Sequence, residues 1–350
     1  MRIIRFSTRG KGGAHRAVEP PSSGDRKRRL VIGATAATAL VAGATVAPQA
    51  YATTDFTGPG VRTQIVDAAT GAPVSDICVF AVSVFTFSFA NVCPTRSDAA
   101  GRVNVTVPGP GSYNLFVLPD SGSPYGAQWV SQTGGTGTQK NARWFTFTAD
   151  EIKPGPTIRL DPRATISGSV LGADEETLGH ATVGIVAPIP DGSRDPRYSL
   201  VADDGTFSID WLGPYQWPLL FKADGYPYQW SGHVGNRLRA ELVTTDANGP
   251  VPFDYQLERG TEVTVDIPDP PQGPGRIVFH NAATRDPVGV AELGASATQA
   301  QLLVLPRQPV KIHCVCSGVH RWHGGTDFAS ATTEPINANG PQLITFTQPS

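Results

Sequence analysis

Tryptophan recurs beside hydrogen-bonding side chains at three places in the chain, and this is the strongest chemical lead in the sequence. The candidate ligand-binding residues are Tyr125, Gln128, Trp129, Tyr226, Tyr228, Gln229, Trp230, His320, Arg321 and Trp322. Aromatic faces stack on sugar rings, while Gln, Arg and Tyr bond hydroxyl groups, so the pattern is typical of a small-ligand site. The competing interpretation, which fits the recurrence better, is that each tryptophan closes the core of its own domain.

Four cysteines and three nearby histidines raise the questions of disulfides and of zinc. Cys78 and Cys93 lie roughly 15 residues apart, and we predict a disulfide between them that stabilises the fold by about 3 kcal/mol. A second group combines ligand types that zinc prefers: Cys314, Cys316, His313, His320 and His323. Its spacing, C-x-C-x3-H-x2-H, is not a common zinc signature, so we predict no metal and no cofactor. The sequence leaves open whether Cys314 and Cys316 are bonded or are free thiols.

The carboxylates do not form a recognisable catalytic set. Asp98, Asp203 and Asp204 each lie shortly before a glycine, which is typical of turns, with calcium binding as the alternative. Glycoside hydrolysis needs two carboxylates about 5–10 Å apart in a cleft, whereas the acidic residues here are scattered. Common hydrolase, metalloprotease, P-loop and dinucleotide motifs are absent from the sequence. We therefore predict no catalytic residues and no enzymatic activity.

The first 52 residues have the pattern of an export signal. They contain nine Lys or Arg and two Asp or Glu, followed by an apolar run over residues 30–46. Ala50-Tyr51-Ala52 then suits signal peptidase. We expect a secreted protein with a cleaved signal peptide, exported by the general route or, given Arg28-Arg29, by the twin-arginine route. An uncleaved N-terminal anchor is the alternative.

The remainder of the chain is acidic and poor in lysine. Of the 28 Lys and Arg and the 30 Asp and Glu in the chain, 19 and 28 lie beyond residue 52. Such an exported protein is not expected to bind nucleic acid, or a membrane once the signal is removed. The expected partner is a glycan or another component of the cell envelope, and the sequence does not predict the oligomeric state.

Two markers recur at intervals near 95 residues and a third links the first and last copies, which indicates three copies of one unit. The markers are Trp129, Trp230 and Trp322, the sequence Ala-Asn-Gly-Pro at 247–250 and 338–341, and residues 67–74, which match 281–288 at five of eight positions. Within each copy, apolar and polar residues alternate, with turns every 8–12 residues. This alternation is typical of antiparallel β-sandwiches.

We therefore predict an all-β chain with three tandem antiparallel β-sandwich domains after the signal peptide. Their limits are predicted at residues 53–162, 163–260 and, for a degenerate third copy, 261–350. No segment beyond residue 52 has sustained helical periodicity.

Three local features complete the predicted layout. In the third copy, the opening strand is predicted at residues 276–279 and the next strand at 288–293. The Pro- and Gly-rich residues 268–275 are predicted to form a stiff connector in front of them. Helix is expected only as a single turn near residues 149–152.

The order of these segments resembles the carboxypeptidase regulatory-like, or prealbumin-like, sandwich family. The residues that carry the resemblance are 70–74, 97–101, 110–113, 168–170, 203–205, 212–215 and 225–226. The third copy lacks the T-D-x-x-G and P-G-x-Y elements of that pattern. Because this fold class is also described as carbohydrate-binding-like or starch-binding-like, the resemblance implies sugar binding.

The resulting hypothesis is a secreted, non-catalytic binding protein that recognises a polysaccharide or a cell-envelope glycan. The first alternative is a structural spacer or protein-interaction array at the cell surface, since units in line reach far from an anchor. The second alternative is an accessory part of a starch- or glycan-degrading system.

Overall fold

The computed structural model describes residues 58–348, apart from residues 84–92, 94 and 186–197. The predicted signal peptide, residues 1–52, lies outside the described residues. The described part of the chain is all-β, as predicted, and folds into tandem β-sandwiches with one short 3-10 helix. Within these residues, no helix has the length and apolar character needed to cross a membrane.

The strands fall into three groups, and each sheet draws its strands from one group. Sandwich 1 contains β1 (Gly60–Asp67), β2 (Cys78–Ser83), β3 (Arg102–Thr106), β4 (Gly111–Leu118), β5 (Gln128–Val130), β6 (Gly135–Thr136), the 3-10 helix (Gln139–Asn141), β7 (Phe145–Phe147), β8 (Ile152–Pro154) and β9 (Ile158–Leu160). Sandwich 2 contains β10 (Ala164–Leu171), β11 (Thr182–Gly184), β12 (Tyr198–Leu200), β13 (Thr206–Leu212), β14 (Gln216–Pro218), β15 (Leu220–Lys222), β16 (Gln229–Trp230), β17 (Leu242–Thr244), β18 (Pro250–Pro252) and β19 (Tyr255–Gln256). Sandwich 3 contains β20 (Thr261–Asp266), β21 (Gly275–Asn281), β22 (Pro287–Leu293), β23 (Gln299–Val304), β24 (Pro309–Cys316), β25 (Val319–Trp322), β26 (Glu334–Pro335) and β27 (Gln342–Thr345).

The three sandwiches share one strand topology. In each, the opening strand pairs antiparallel with one neighbour and parallel with the closing strands: β1 with β3, β8 and β9; β10 with β13, β18 and β19; β20 with β23 and β27. The facing sheets run β2-β4-β5, β11-β15-β16 and β21-β24-β25. Trp129, Trp230 and Trp322 lie in β5, β16 and β25, so the tryptophan spacing does identify equivalent positions.

The prediction for the start of sandwich 3 is wrong by one strand. Its opening strand is β20, while residues 276–279 lie in β21 and residues 288–293 in β22. The similarity of residues 67–74 to 281–288 is the source of the error, because both segments form the same turn at different places in the fold. Asp67 and Asn281 each accept bonds at Oδ1 from two following backbone N–H groups.

The Pro- and Gly-rich residues 268–275 do not connect two domains. They join β20 to β21, which belong to the two sheets of sandwich 3. Ile267 just before them is buried in that sandwich's core. The prediction of a connector between domains is therefore wrong, because proline suits a crossing between sheets as well as it suits a linker.

The short helix is also misplaced in the prediction. Residues 152–154, at the end of the predicted helical turn, form β8, which pairs parallel with β1. The 3-10 helix lies earlier, at Gln139–Asn141, where the Thr138 side chain accepts a bond from the Lys140 N–H. This helix brings Gln139 to the junction described below.

Sandwiches 1 and 2 share a hydrophobic core. The sheet β2-β4-β5 is buried on both faces: Val79 and Leu115 point into sandwich 1, while Phe80, Phe116 and Trp129 pack with the inner faces of β10, β13 and β15. Each such large apolar side chain contributes about 1.5–3 kcal/mol when fully buried. Sandwich 3 has a separate core of its own.

Candidate functional site

The three tryptophans of the predicted ligand site are buried. Trp129 is 4% exposed, Trp230 1% and Trp322 5%. Trp129 packs at 4.8 Å from the Phe116 ring in the core shared by sandwiches 1 and 2. Their faces are therefore covered by protein, which favours the interpretation of core residues over that of stacking platforms for a sugar.

The two glutamines beside them bond protein groups. The Nε2 of Gln128 donates to the Arg159 carbonyl at 3.0 Å, and the Nε2 of Gln229 donates to the Glu258 carbonyl at 3.2 Å. Both glutamines are fully buried. Each ties the strand that carries its tryptophan to the end of its sandwich, so these amides are used in folding.

The three tyrosines also have protein contacts. Tyr125 donates to the Asp67 carboxylate at 2.9 Å, and Tyr226 donates to Glu176. The Lys222 ammonium lies 5.1 Å from the centre of the Tyr228 ring. Burial raises the pKa of all three phenols. The structure does not bring Tyr125 and the two tyrosines of sandwich 2 together into one site.

The cysteine and histidine group is divided between the two faces of one sheet. Cys314 and Cys316 point into the core of sandwich 3 and are bonded to each other, which answers the question left open by the sequence. His323 bonds Glu334 at 3.1 Å, and its ring centre lies 5.8 Å from that of the core residue Phe346. The predicted Cys78–Cys93 disulfide is present, with the Cα atoms 5.8 Å apart.

A histidine and aromatic cluster covers the outer face of the same sheet. His313 stacks on Trp322 at 4.2 Å, and His320 Nδ1 lies 3.1 Å from His313 Nε2. The His280 Nδ1–H donates to the Arg285 carbonyl at 3.1 Å, and its buried Nε2 finds no partner among the described residues. Burial lowers the pKa of His280 to about 4; burial and the neighbouring cations lower that of His313 to about 3.

Arg321, the remaining predicted site residue, is half-buried and pairs with Asp269 at 3.1 Å. The turn carboxylates follow the sequence prediction: Asp204 accepts from the Thr206 N–H at 3.0 Å and hydroxyl at 2.7 Å. Among the residues that the structure describes, no three His, Cys, Asp or Glu side chains converge where a metal ion would be held.

The most distinctive site is a buried polar junction where all three sandwiches meet. Gln139 of sandwich 1 donates to Asn114 at 3.2 Å and accepts from Arg237 Nε of sandwich 2, also at 3.2 Å. Arg237 in turn donates to the Thr284 carbonyl at 2.9 Å and to the Asp286 carboxylate of sandwich 3. Arg237 and Gln139 are each 8% exposed, and Asn114 and Asp286 are fully buried.

Asp286 is satisfied from several directions. Its Oδ2 accepts from the Arg237 N–H at 2.9 Å and from the Thr284 hydroxyl at 2.8 Å. Desolvation raises the pKa of Asp286, whereas Arg237 and Thr284 act to lower it. A buried pair of this kind adds little net stability, but loss of one partner leaves an uncompensated charge that costs about 3–5 kcal/mol.

A second set of contacts joins sandwiches 1 and 2 directly. The Tyr215 hydroxyl donates to the Asp161 carboxylate at 2.6 Å, and its oxygen lies 2.7 Å from the Gln128 amide oxygen. Arg163 pairs with Asp210 at 2.8 Å. Burial and Asp161 raise the pKa of Tyr215, so the phenol stays protonated and donates.

Sequence reasoning missed the junction residues. Arg237 lies 98 positions from Gln139 and 49 from Asp286 along the chain. Gln139 and Arg237 belong to no repeated marker, and Asp286 falls at an unmatched position of residues 281–288. The bonds of Arg237 to Gln139 and Asp286 both cross between sandwiches. The available signal was weak: one arginine in a chain with only 17% charged residues.

A narrow crevice lies beside the junction, between sandwiches 1 and 2. Trp129, Thr138 and Gln139 line one side, and Trp230 and Leu238 are among the residues that line the other. It has room for about one water molecule. The Trp230 Nε1–H is buried and finds no acceptor in the described part of the chain.

Comparison with known proteins gives distant likenesses only. No family model matches the chain, and no curated protein matches it. The Bacillus anthracis TIE protein is similar at 9% identity and a TM-score of 0.21, over 84% of this chain and 51% of that one, so the chain spans about half of its length. The minor pilin GBS52 of Streptococcus agalactiae is similar at 12% identity and a TM-score of 0.25, over 57% and 94%. A DUF3823 family protein from Bacteroides ovatus is similar at 12% identity and a TM-score of 0.18, over 44% and 90%.

Fold and junction together define the chain as a multi-sandwich β protein. Identities of 9–12% and these TM-scores do not assign it to a family. The resemblance to the carboxypeptidase regulatory-like family stays a prediction from the sequence.

Proposed function

We propose that the chain is an exported, non-catalytic structural protein of the cell surface, in which three β-sandwiches form one rigid array. The observation that carries this proposal is the buried polar chain Asn114–Gln139–Arg237–Asp286, which draws one or more residues from every sandwich. A protein whose domains moved freely would leave these groups without partners.

The energetics support a fixed arrangement. Each buried polar group that loses its partner costs about 1–3 kcal/mol, and a buried charge costs more. Separation of sandwich 3 would remove the Asp286 carboxylate from Arg237, and separation of sandwich 1 would remove Gln139 from it. The shared core around Phe116 and Trp129 adds an apolar cost to the same movement.

Two features support export to the surface. Residues 1–52 have the composition of a signal peptide, as described above. The Cys78–Cys93 disulfide fits an oxidising compartment, where such bonds persist. A rigid array that is delivered outside the cell suits a spacer or a platform for other proteins.

The test of this proposal is the variant Arg237→Ala, studied by scanning calorimetry. We expect a loss of about 3–5 kcal/mol, because Asp286 becomes a buried, unpaired charge. Arg239→Ala is the matched control, since Arg239 is exposed two positions further along the same loop, and it should change stability by less than about 0.5 kcal/mol. If the two variants lost equal stability, the junction would not be the basis of rigidity.

Glycan binding is the second candidate function, and one observation favours it. Trp129 and Trp230, both predicted as ligand contacts, line the same crevice, and the Trp230 Nε1–H has no acceptor among the residues that the structure describes. A sugar hydroxyl would supply that acceptor. In the present conformation the crevice is too small for a sugar ring, so binding requires sandwiches 1 and 2 to separate locally.

The two candidates differ in tryptophan fluorescence. Trp144 is 46% exposed, so its emission would change in concentrated glucan solutions without any specific binding. The measurement therefore uses a Trp144→Phe background. If glycans bind in the crevice, soluble glucans shift the emission of this background, and Trp230→Phe abolishes the shift. A glycan array without hits, together with unchanged emission, would leave the structural function and exclude both glycan recognition and an accessory part in glycan degradation.

A further inference from the structure

Two imidazoles approach each other on the outer face of sandwich 3. His313 lies in β24 and His320 in the neighbouring strand β25, and the ladder pairs Val315 with His320 and His313 with Trp322. Both side chains therefore lie on the face opposite the core, with ring centres 5.1 Å apart and planes at 22° to each other. His320 Nδ1 is 3.1 Å from His313 Nε2.

This separation matches that of two neighbouring ligand atoms on one metal ion. Imidazole nitrogens bind zinc and similar ions at about 2.0–2.1 Å, so two of them in a tetrahedral or square arrangement lie about 2.9–3.4 Å apart. We propose that His313 and His320 form a binding site for a divalent transition metal ion at the surface of sandwich 3, with Cu²⁺ as the preferred ion.

The surrounding residues position the two rings differently. His313 is 8% exposed and stacked on Trp322 with an angle of 7° between the planes, so its orientation is fixed. His320 is exposed and follows the tight turn at Ser317 and Gly318, both of which have positive φ. An ion can therefore reach the site from solvent, and the His320 ring can adjust to it.

Other donors nearby are not assigned to the ion. Cys314 and Cys316 face the core and are bonded to each other. The His280 ring centre lies 5.8 Å from that of His313, and its Nδ1 contacts the Arg285 carbonyl. The described residues offer no three-ligand cage, so water completes the coordination of an ion held by two imidazoles. Two-nitrogen binding of this kind favours Cu²⁺ over Zn²⁺ in the usual order of affinity.

The test uses tag-free protein that has been stripped with a chelator and is titrated with CuCl₂, and separately with ZnCl₂, by isothermal calorimetry. We expect a single Cu²⁺ site that is tighter than the Zn²⁺ site. His320→Ala should weaken Cu²⁺ binding by about tenfold or more, corresponding to about 1.4 kcal/mol or more. Since His320 is exposed, this variant is expected to remain folded.

His180→Ala is the matched control. The His180 side chain is 82% exposed and lies 3.5 Å from Asp203, so it offers a competing surface site with one imidazole. We expect this variant to bind Cu²⁺ like the unaltered protein. The electron paramagnetic resonance spectrum of the Cu²⁺ complex should show coupling to two imidazole nitrogens, and to one fewer in His320→Ala.

Three results would overturn the proposal. The first is the absence of Cu²⁺ binding, which would leave the two rings sharing only a hydrogen bond. The second is unchanged affinity in His320→Ala. The third is loss of binding in His180→Ala, which would place the ion beside Asp203.

Discussion

Asp204 shows how single side chains hold the turns of this fold. The Thr206 hydroxyl and N–H lower the pKa of Asp204 below its ordinary value of 3.8. A carboxylate with a lowered pKa in the folded state stabilises the fold above its unfolded pKa, and this stabilisation is lost as the pH falls through the folded value. Asp204 therefore contributes at pH 6 and ceases to contribute well below pH 3.8.

We predict that Asp204→Asn destabilises the protein more at pH 6 than at pH 3. Asparagine keeps an acceptor for Thr206 but loses the charge, so the two proteins should converge in acid. The measurement is urea unfolding at both pH values. Asp203→Asn is the control. It removes one negative charge at the preceding position, from a side chain that is 91% exposed. A difference between Asp204→Asn and the unaltered protein that does not shrink in acid would contradict the prediction.

The sequence predicts the positions of single residues better than their surroundings. The spacing of Trp129, Trp230 and Trp322 identifies equivalent strands, because a core residue recurs with its unit. It does not indicate that Trp129 packs against a neighbouring sandwich, since that depends on how the units dock. Arg237 carries no periodic signal at all, because its function depends on partners from two other units.

At the scale of strands and turns, a repeated motif is informative only where its place in the topology is also repeated. The alternation of apolar residues and the acidic-glycine turns predict the β-sandwiches correctly. The match between residues 67–74 and 281–288 misleads. In both segments an Asp or Asn side chain accepts bonds from the following backbone N–H groups, and such a turn can follow any strand. As a result the predicted opening of sandwich 3 is displaced by one strand.

Two glycines with the same backbone conformation allow the cost of a close approach to be measured. Gly101 and Gly71 have φ values of 71° and 72°. A Cβ atom on Gly101 would lie 2.2 Å from the Ile65 carbonyl oxygen, whereas one on Gly71 would meet nothing within 4 Å. Alanine at Gly71 therefore introduces only the strain of a positive φ, about 1–2 kcal/mol.

We predict that Gly101→Ala destabilises the protein by about 1–3 kcal/mol more than Gly71→Ala, because β1 must move away from the turn. Denaturant unfolding of both variants measures the difference. Equal losses would mean that the turn after Asp98 adapts freely and does not fix the pairing of β1 with β3.

At the scale of the whole molecule, the three sandwiches depend on each other for the burial of polar and apolar groups. Sandwiches 1 and 2 share a core, and Arg237 joins both to sandwich 3. The repeat pattern predicts three units but not this dependence, since a sequence of repeats is equally consistent with separate domains on flexible linkers. The interface residues differ between units, so repetition cannot reveal them.

The most direct test of the rigid array is the distance distribution between spin labels on sandwiches 1 and 3, measured by pulsed electron paramagnetic resonance. Ala99→Cys and Asn339→Cys place the labels on exposed turns, and the described residues contain no free cysteine that would compete. A rigid array gives one narrow distance distribution that broadens in the Arg237→Ala variant and stays narrow in Arg239→Ala. A broad distribution in the labelled protein with Arg237 unaltered would contradict a rigid array.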